Sequence, residues 1–294
     1  DDLLGNILLA TSAPVLVAPA MHTEMWNHPA TVENVRQLRE RDVSVIEPAS
    51  GRLTGEDSGA GRLPEPEEIF ESVNSALTFK SLSGKVILVT SGGTREDIDP
   101  VRFIANNSSG IQGAEIALEA QRRGAEVILI AANQERPSQF SGEFISVKSA
   151  LEMHAALHSR LSSLDALVMT AAVSDYRVSS VSEQKIKRET AGSDLTLSLV
   201  ANPDILKEAI ALRAAKQLRF LAVGFAAETE SDSEKLAALA ATKRLSKGCE
   251  IIVANDVSGG AVFGQSTNSV IISSDRYDTR AVAGSKKEIA VALL

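Results

Sequence analysis

Two turns rich in small residues are the first parts of this sequence whose residue types and spacing could do chemistry. Their residues are Gly92, Gly93 and Thr94 after an apolar run, and Ser108, Ser109 and Gly110 directly before a helical pattern. Glycines let an anion approach backbone N–H groups, and a helix N-terminus favours negative charge, so this pair is typical of a phosphate site. Two ordinary turns explain the glycines equally well. The segment between the turns favours the functional interpretation, because it is too polar for a simple connector; its polar residues are Asp97, Asp99, Arg102, Asn106 and Asn107.

Asp175 and the basic segment 185–188 form a second polar cluster. Asp175 closely follows the apolar run 166–172, and ligands of open α/β sheets bind outside the carboxyl ends of the strands. Its carboxylate could hold a ribose or a metal, and Lys185 could neutralise charge on phosphates. A run of charges is usually a solvated surface, but its position after a strand-end acid favours a site here.

Three further positions have a structural and a functional interpretation that the sequence leaves open. Asp204 stands where a helix N-cap is expected, before the helical pattern that begins at residue 205. Phe225 follows a predicted strand and could contact a base or pack in the core. Lys243 and Lys247 lie one turn apart near a helix end, where cations complement the helix dipole or could bind phosphate.

Metal and nucleophile patterns are weak. His154 and His158 have the i, i+4 spacing of a zinc pair, but no third ligand is evident, and we therefore expect no dedicated metal site. The sequence contains no GxSxG motif, and its single cysteine, Cys249, precedes a strand rather than a helix. Covalent hydrolase chemistry is not expected, and Cys249 is predicted to be a buried structural thiol.

From residue 85 onward, apolar strands alternate with amphipathic helices, which predicts a doubly wound, Rossmann-like α/β sheet of mostly parallel strands. The strands are predicted at 86–90, 126–131, 166–172, 220–224, 250–254 and 269–273, and the helices at 111–123, 149–164, 233–247 and 285–294. The glycine spacing is not GxGxxG. The second strand leads to Asn133 without the acid that binds a ribose, which argues against NAD.

Composition and length bound the remaining possibilities. The chain has 294 residues, which favours two domains of about 150 residues each. The polar segment 80–84 is the predicted linker, so the domains are 1–80 and 81–294. The first contains predicted helices from Leu3 and at 31–41, strands at 15–18 and 43–46, and a glycine-rich loop at 50–61 interpreted as a mobile flap.

Charge and hydropathy exclude several classes of partner. The net charge of −8 argues against nucleic acid and anionic membranes. No apolar run reaches the roughly 18 residues of a membrane span, and the acidic first residues are not expected to belong to a signal peptide. With a single cysteine, a cytoplasmic protein is expected. The chain starts without Met inside a helical pattern, so we expect an upstream portion.

Six motifs together resemble the ligase half of a bifunctional coenzyme A biosynthesis family, phosphopantothenoylcysteine decarboxylase/phosphopantothenate–cysteine ligase. They lie at residues 91–110, 171–177, 185–188, 202–205, 224–229 and 254–258, and the resemblance covers essentially all of 84–294. It implies that the carboxylate of 4′-phosphopantothenate attacks the α-phosphate of CTP and releases pyrophosphate. Cysteine then displaces CMP from the acyl-cytidylate. It also implies Mg²⁺ bound chiefly by phosphate oxygens and water, and a homodimer through this domain, with a higher oligomer in the full-length parent.

The resemblance also implies roles for individual residues. Asn106 would hold the carbonyl of the acyl-cytidylate, Arg102 would serve the cysteine-dependent step, and Lys185 would stabilise charge at the acyl-phosphate. The implied CTP-binding residues are Ala171, Asp175, Lys185, Pro203, Asp204, Ile205, Leu206, Phe225, Lys243 and Lys247.

Residues 1–80 resemble the end of the flavin-dependent decarboxylase half of the same family, a partial α/β flavoprotein domain. Met21, His22 and Met25 lie in a stretch similar to its substrate-binding motif, with His22 where many relatives have Asn. The family's catalytic His would lie upstream of residue 1, and Thr54 stands where many members have the catalytic Cys. We therefore expect decarboxylation and tight FMN binding only from a full-length parent.

Two other functions are compatible with parts of the sequence. An NAD(P)-dependent reductase fits the fold pattern but not the glycine spacing. A nucleotide-binding module without catalysis would keep the pocket but would not need Asn106, Arg102 and Lys185.

Overall fold

Two units, Asp1–Phe79 and Lys80–Leu294, divide the chain in a computed structural model that describes residues 2–53, 58–187, 194–257 and 264–294. We call them the small unit and the large unit. None of the helices in these described ranges has both the length and the apolar character that a membrane span requires.

The small unit consists of short helices and two separate strand pairs. Its described elements are α1 (Leu3–Ala10), β1 (Leu16–Val17), α2 (Thr23–Trp26), α3 (Pro29–Glu40), β2 (Ser44–Val45), β3 (Ala49–Arg52), β4 (Ser58–Arg62) and α4 (Pro66–Leu77). β1 pairs with β2 in parallel, and β3 pairs with β4 antiparallel. None of the four helices has a buried residue.

The glycine-rich stretch 50–61 was predicted to be a loop acting as a mobile flap, and the loop assignment is wrong for its described residues, most of which form the paired strands β3 and β4. Glycine at position 61 lets the backbone of Met21 lie against β4. The N–H of Met21 donates to the carbonyl of Gly61 at 2.9 Å. A Cβ on Gly61 would collide with the Met21 carbonyl oxygen. Thr54, the predicted position of the family's catalytic Cys, lies outside the described residues.

The large unit alternates strands and helices along most of its length. Its described elements are β5 (Val86–Gly92), β6 (Arg95–Asp97), β7 (Phe103–Ala105), α5 (Ile111–Arg122), β8 (Glu126–Ala132), β9 (Glu143–Val147), α6 (Ala150–His158), β10 (Ala166–Met169), β11 (Tyr176–Val178), β12 (Leu199–Ala201), α7 (Ile205–Ala215), β13 (Leu221–Glu228), α8 (Ser233–Lys247), β14 (Ile251–Asp256), β15 (Thr267–Ser274), β16 (Arg280–Ser285) and α9 (Lys286–Leu293).

Eight of these strands form one sheet, in the order β9-β8-β5-β10-β13-β14-β15-β16. The six strands from β9 to β14 are parallel, and β15 and β16 complete one edge in antiparallel pairing. Two short antiparallel pairs, β6 with β7 and β11 with β12, lie outside the sheet. The doubly wound, mostly parallel α/β fold is therefore confirmed.

Helices cover both faces of this sheet, as its strand sequences require. On β5, Leu88 faces the core cluster that contains α6, α7 and α8. Its neighbours Ile87 and Val89 face the other cluster, which contains α5 and α9. Burial on both faces explains why β5 and β8 are continuous apolar runs rather than alternating ones.

Two predicted elements end earlier than expected, and two strands of the main sheet were not predicted. The single helix expected at 149–164 stops at His158, and a short 3₁₀ helix follows at Leu161–Ser163. The hydroxyls of Ser159 and Ser163 donate to nearby backbone carbonyls there, competing with the helical hydrogen bonds. The strand expected at 166–172 leaves the sheet after Met169, and β9 and β16, both edge strands, were not predicted.

Candidate active site

A crevice lies where the strand order reverses, between β5 and β10. After β5 the chain continues to β8 on one side, and β10 lies on the other side, which is where open α/β sheets bind ligands. The segments that follow β5 and β10 remain paired, since Gly93 and Ala172 form a parallel β-bridge. Buried Thr94 strengthens this junction, because its N–H donates to the Ala172 carbonyl and its Oγ1 accepts from the N–H of Ser174 at 2.9 Å.

The N-terminus of α5 opens into a cleft at this crevice. No side chain caps the helix, whose N-cap, Gly110, has φ of 70°. Gly113 in the first turn packs so closely that a Cβ there would come within 3.0 Å of Thr170 and Ser91 side-chain atoms. The cleft residues are Asn107, Ser108, Ser109, Gly110, Ile111, Gln112, Gly113, Thr170, Ala171, Ala172, Phe225, Ala227, Asn255, Val257, Asn268 and Lys286. The arrangement offers an anion the uncapped N-terminal end of a helix.

The size of the cleft limits what it encloses. Its volume is about 170 Å³, below the roughly 300–1,000 Å³ of typical small-molecule sites. Phe225, at the carboxyl-terminal part of β13, is half-buried in its wall. The cleft can therefore enclose only part of a nucleotide.

Lys286 is a cleft residue that sequence reasoning missed. The residue as a whole is 6% exposed, and no hydrogen bond joins its amine to the described residues. Burial lowers the pKa of this amine. Gln112 of α5 donates to the Lys286 carbonyl at 3.0 Å, which holds the start of α9 beside the start of α5. A lysine as the first residue of a helix opposes the helix dipole, and that was the available sequence signal.

Asp99 connects two of the predicted catalytic positions. Its buried carboxylate accepts from the backbone N–H groups of Val101 and Ile186, at 2.8 and 3.1 Å, and from the guanidinium of Arg102. Arg102 in turn donates to the Ile186 carbonyl at 2.7 Å. The Arg102 guanidinium holds the pKa of Asp99 well below its usual range. The β6–β7 turn is thereby tied to the segment that carries exposed Lys185.

Asn106 and Asn202 attach two other loops to the residues that follow β10. The side-chain amide of Asn106 donates to the Val173 carbonyl at 3.1 Å. The side-chain amide of Asn202 donates to the Ser174 carbonyl at 2.8 Å, and its backbone N–H donates to the Asp175 carbonyl. The Asp175 carboxylate is exposed and forms no hydrogen bond within the described residues. This carboxylate and the Asn106 side chain are available to a ligand.

The remaining predicted nucleotide contacts already have partners inside the protein. Asp204 caps α7 by accepting from the N–H of Lys207 at 3.2 Å, and its other carboxylate oxygen pairs with Lys247. Lys243 pairs with Glu228 at 2.6 Å. The side chains of Ile205 and Leu206, which follow half-buried Pro203, belong to the core. Asp204 and Lys247 tie the start of α7 to α8, and direct contact of any of these residues with a ligand stays a prediction.

The residues predicted as the decarboxylase remnant lie in the small unit. Met21 precedes α2, His22 is its N-cap residue, and Met25 is exposed on it. The buried residues of the described small unit are Pro48, Gly61 and Pro64, whose side chains are not polar. This set does not fit a tight flavin site, and we derive no step through a flavin.

Comparison with known proteins gives matches over both units. Residues 82–294 match the family model of the DNA/pantothenate metabolism flavoprotein C-terminal domain, and residues 1–78 match a flavoprotein model. A coenzyme A biosynthesis bifunctional protein CoaBC from Mycobacterium bovis is 45% identical over 300 residues, covering 99% of this chain and 71% of that protein. The corresponding protein of Vibrio cholerae is 40% identical over 269 residues, covering 92% and 65%. The crystal structure of a CoaBC C-terminal domain superposes with a TM-score of 0.58 at 32% identity, covering 73% of this chain and 94% of that one.

Proposed function

Since the chain belongs to the family of coenzyme A biosynthesis bifunctional proteins, we propose that its large unit joins 4′-phosphopantothenate to L-cysteine with CTP. The observation that carries the proposal is the crevice between β5 and β10, where an uncapped helix N-terminus and a buried lysine meet. Both features stabilise anions, and the proposed reaction uses a triphosphate and a phosphorylated acid.

The reaction has two steps. The carboxylate of 4′-phosphopantothenate attacks the α-phosphorus of CTP, pyrophosphate leaves, and an acyl-cytidylate forms. The amine of cysteine then attacks the acyl carbonyl, CMP leaves, and the amide product forms with loss of the amine proton. Holding the partners together and neutralising the charge that develops provide most of such catalysis.

Three residues take the principal roles in this proposal. Asn106 holds the acyl carbonyl with its side chain, beside the loop that follows β10. Lys185 stabilises charge at the α-phosphate, and Arg102 serves the cysteine-dependent step next to it. Asp99 supports the roles of Arg102 and Lys185, because its carboxylate connects the Arg102 turn to the segment that carries Lys185.

The nucleotide lies along the crevice in this proposal. The turns at 92–94 and 108–110 contact phosphates with backbone N–H groups, Lys286 adds a cation, and Asp175 binds the ribose. Ala171 and Phe225 line the base or sugar, and the segment 203–206 with Lys243 and Lys247 borders the site. The described cleft residues offer amide and hydroxyl oxygens but no carboxylate, which suits Mg²⁺ held chiefly by phosphate oxygens and water. The ion would neutralise triphosphate charge.

The assignment has consequences for assembly and for the small unit. We propose that residues 81–294 form the ligase domain and pair as a homodimer, and that a full-length parent forms a higher oligomer. Residues 1–80 are assigned to a decarboxylase domain that binds FMN in such a parent. Light scattering on the purified chain tests the dimer, and a monomer at micromolar concentration would contradict it.

The decisive assay measures pyrophosphate and CMP formed from CTP and 4′-phosphopantothenate, with and without cysteine, and with ATP in place of CTP. CTP-dependent pyrophosphate release and cysteine-dependent CMP release are expected. Lys185→Gln should lower kcat by about 100-fold or more, as losing one transition-state contact does. Arg102→Gln should mainly slow the cysteine-dependent step.

A matched control is Lys235→Gln, which removes an exposed lysine from α8 and should leave kcat unchanged. Wild-type protein that binds CTP but releases no pyrophosphate would instead be a nucleotide-binding module. Unchanged product formation by Lys185→Gln would remove this lysine from the catalytic group.

A further inference from the structure

Three side chains capable of binding a metal converge outside the crevice, between α6 and α7. They are His154 and His158 of α6 and Glu208 of α7, and their nearest ligand atoms all lie within 4.8 Å of one another. His154 Nε2 and a Glu208 carboxylate oxygen are 2.8 Å apart. The two imidazole rings stack with centroids 4.0 Å apart and planes inclined by 30°.

The His158 ring is the unusual member of this cluster. Its Nε2 is buried from solvent and has no hydrogen-bond partner among the described residues, whereas buried polar atoms are normally paired. An imidazole nitrogen that carries a lone pair and no hydrogen-bond partner can bind a metal ion.

The hydrogen bond between His154 and Glu208 accounts for two members of the cluster but leaves the His158 nitrogen without a partner among the described residues. A cation placed between the three groups would satisfy every one of them. Two imidazole nitrogens and one carboxylate oxygen are typical ligands of Zn²⁺, with a water as the fourth ligand. Mg²⁺ and Ca²⁺ prefer oxygen ligands alone.

We propose that His154, His158 and Glu208 form a binding site for a divalent transition-metal ion, Zn²⁺ in the first instance. The i, i+4 spacing on α6 supplies two ligands on one helix face, and Glu208 in the first turn of α7 supplies the third. The ion would link two neighbouring helices of the large unit. Because α7 directly follows the segment 202–204, this link would also fix one border of the crevice.

The sequence predicted no metal site because a third ligand was not evident. Glu208 lies 54 positions after His154, and only the packing of α6 beside α7 on the same face of the sheet brings it there. The third ligand could not be identified from the sequence because its position depends on tertiary contact, not on residue type.

The test is calorimetric titration of the chelator-treated full chain with Zn²⁺ alone. One ion per chain should bind the wild type, and affinity should fall at least tenfold in both His158→Gln and Glu208→Gln. His28→Gln, which removes a histidine from the small unit, and Glu234→Gln, which removes a first-turn glutamate from α8, are the matched controls. Both should bind as tightly as the wild type.

Two further measurements separate binding at this cluster from other effects. Thermal unfolding without metal should show that the variants are folded, and added Zn²⁺ should raise the Tm of the wild type but not of His158→Gln. Co²⁺ should give the visible bands of a nitrogen and oxygen site without a thiolate charge-transfer band, which excludes Cys249 as ligand. Absence of stoichiometric binding by the wild type, or equal affinity in His158→Gln, would overturn the proposal without affecting the proposed ligase reaction.

Discussion

The two units use similar secondary structure but bury their apolar residues very differently. In the large unit, Leu88 and Leu129 are completely buried between helices on the two sheet faces. In the small unit, Leu9 of α1 is 89% exposed and Phe70 of α4 is 62% exposed. Removal of apolar surface from water contributes about 25 cal/mol per Å², so this stabilisation is concentrated in the large unit. Amphipathic helices therefore do not by themselves provide a core.

The largest expected effect contrasts a core leucine with an exposed one. Leu88→Ala should lower the free energy of unfolding of the large unit by about 2–5 kcal/mol, because it leaves a cavity in β5. Leu9→Ala should change stability by less than about 0.5 kcal/mol. Urea denaturation, followed by probes within each unit, measures both. A cost of several kcal/mol for Leu9→Ala would show that α1 packs against apolar surface in solution.

The next effect contrasts two helical glycines. Gly113→Ala should destabilise the large unit by about 1–3 kcal/mol, because the new methyl group overlaps Thr170 and Ser91. Gly5→Ala in α1 should instead change stability by less than about 0.5 kcal/mol, because the gain in helix propensity is offset by crowding of the Asp2 carboxylate, which caps α1 by accepting from the Gly5 N–H. Circular dichroism melts should show a clear downward shift for Gly113→Ala and almost none for Gly5→Ala. Destabilisation in both would remove the distinction between a packed and an open helix face.

The smallest effect on stability concerns the buried cation of the large unit. Lys286→Met should raise the free energy of unfolding slightly, since burial disfavours the charged amine. It should also raise the KM for CTP about tenfold, because the proposed phosphate contact is lost. The lowered pKa means that the folded state binds fewer protons than the unfolded state. The wild type should therefore gain stability relative to the variant as pH rises towards about 10.4, the lysine reference value.

Urea midpoints of both proteins across this pH range measure the stability difference, and initial rates at varied CTP give KM. A KM equal to that of the wild type would remove Lys286 from the proposed phosphate contacts. A constant stability difference across the pH range would show that its amine is solvated in the folded state.

The sequence predicted the central strands of the large unit well, because strands buried on both faces are continuous apolar runs, as in β5 and β8. It missed β9 and β16, which lie at the sheet edges and mix exposed residues with partly or fully buried ones. It also identified the loops of the crevice, since their polar and glycine residues follow strand ends. The roles of Asp99 and Lys286 were not predicted, because each depends on partners far away in the chain, such as Ile186 for Asp99 and Gln112 for Lys286.

The close contact of Gly113 with Thr170 and Ser91 has a consequence for how the crevice would meet its ligands. A helix seated this tightly on the strands cannot tilt, so the first N–H groups of α5 point in fixed directions before any anion arrives. Preorganised donors of this kind need no rearrangement when charge develops, and less conformational entropy is lost on binding. A rigid site of this type discriminates among ligands by excluding those that do not fit. If ligands bind at this end of α5, the missing methyl group of one glycine would contribute to selectivity as well as to packing.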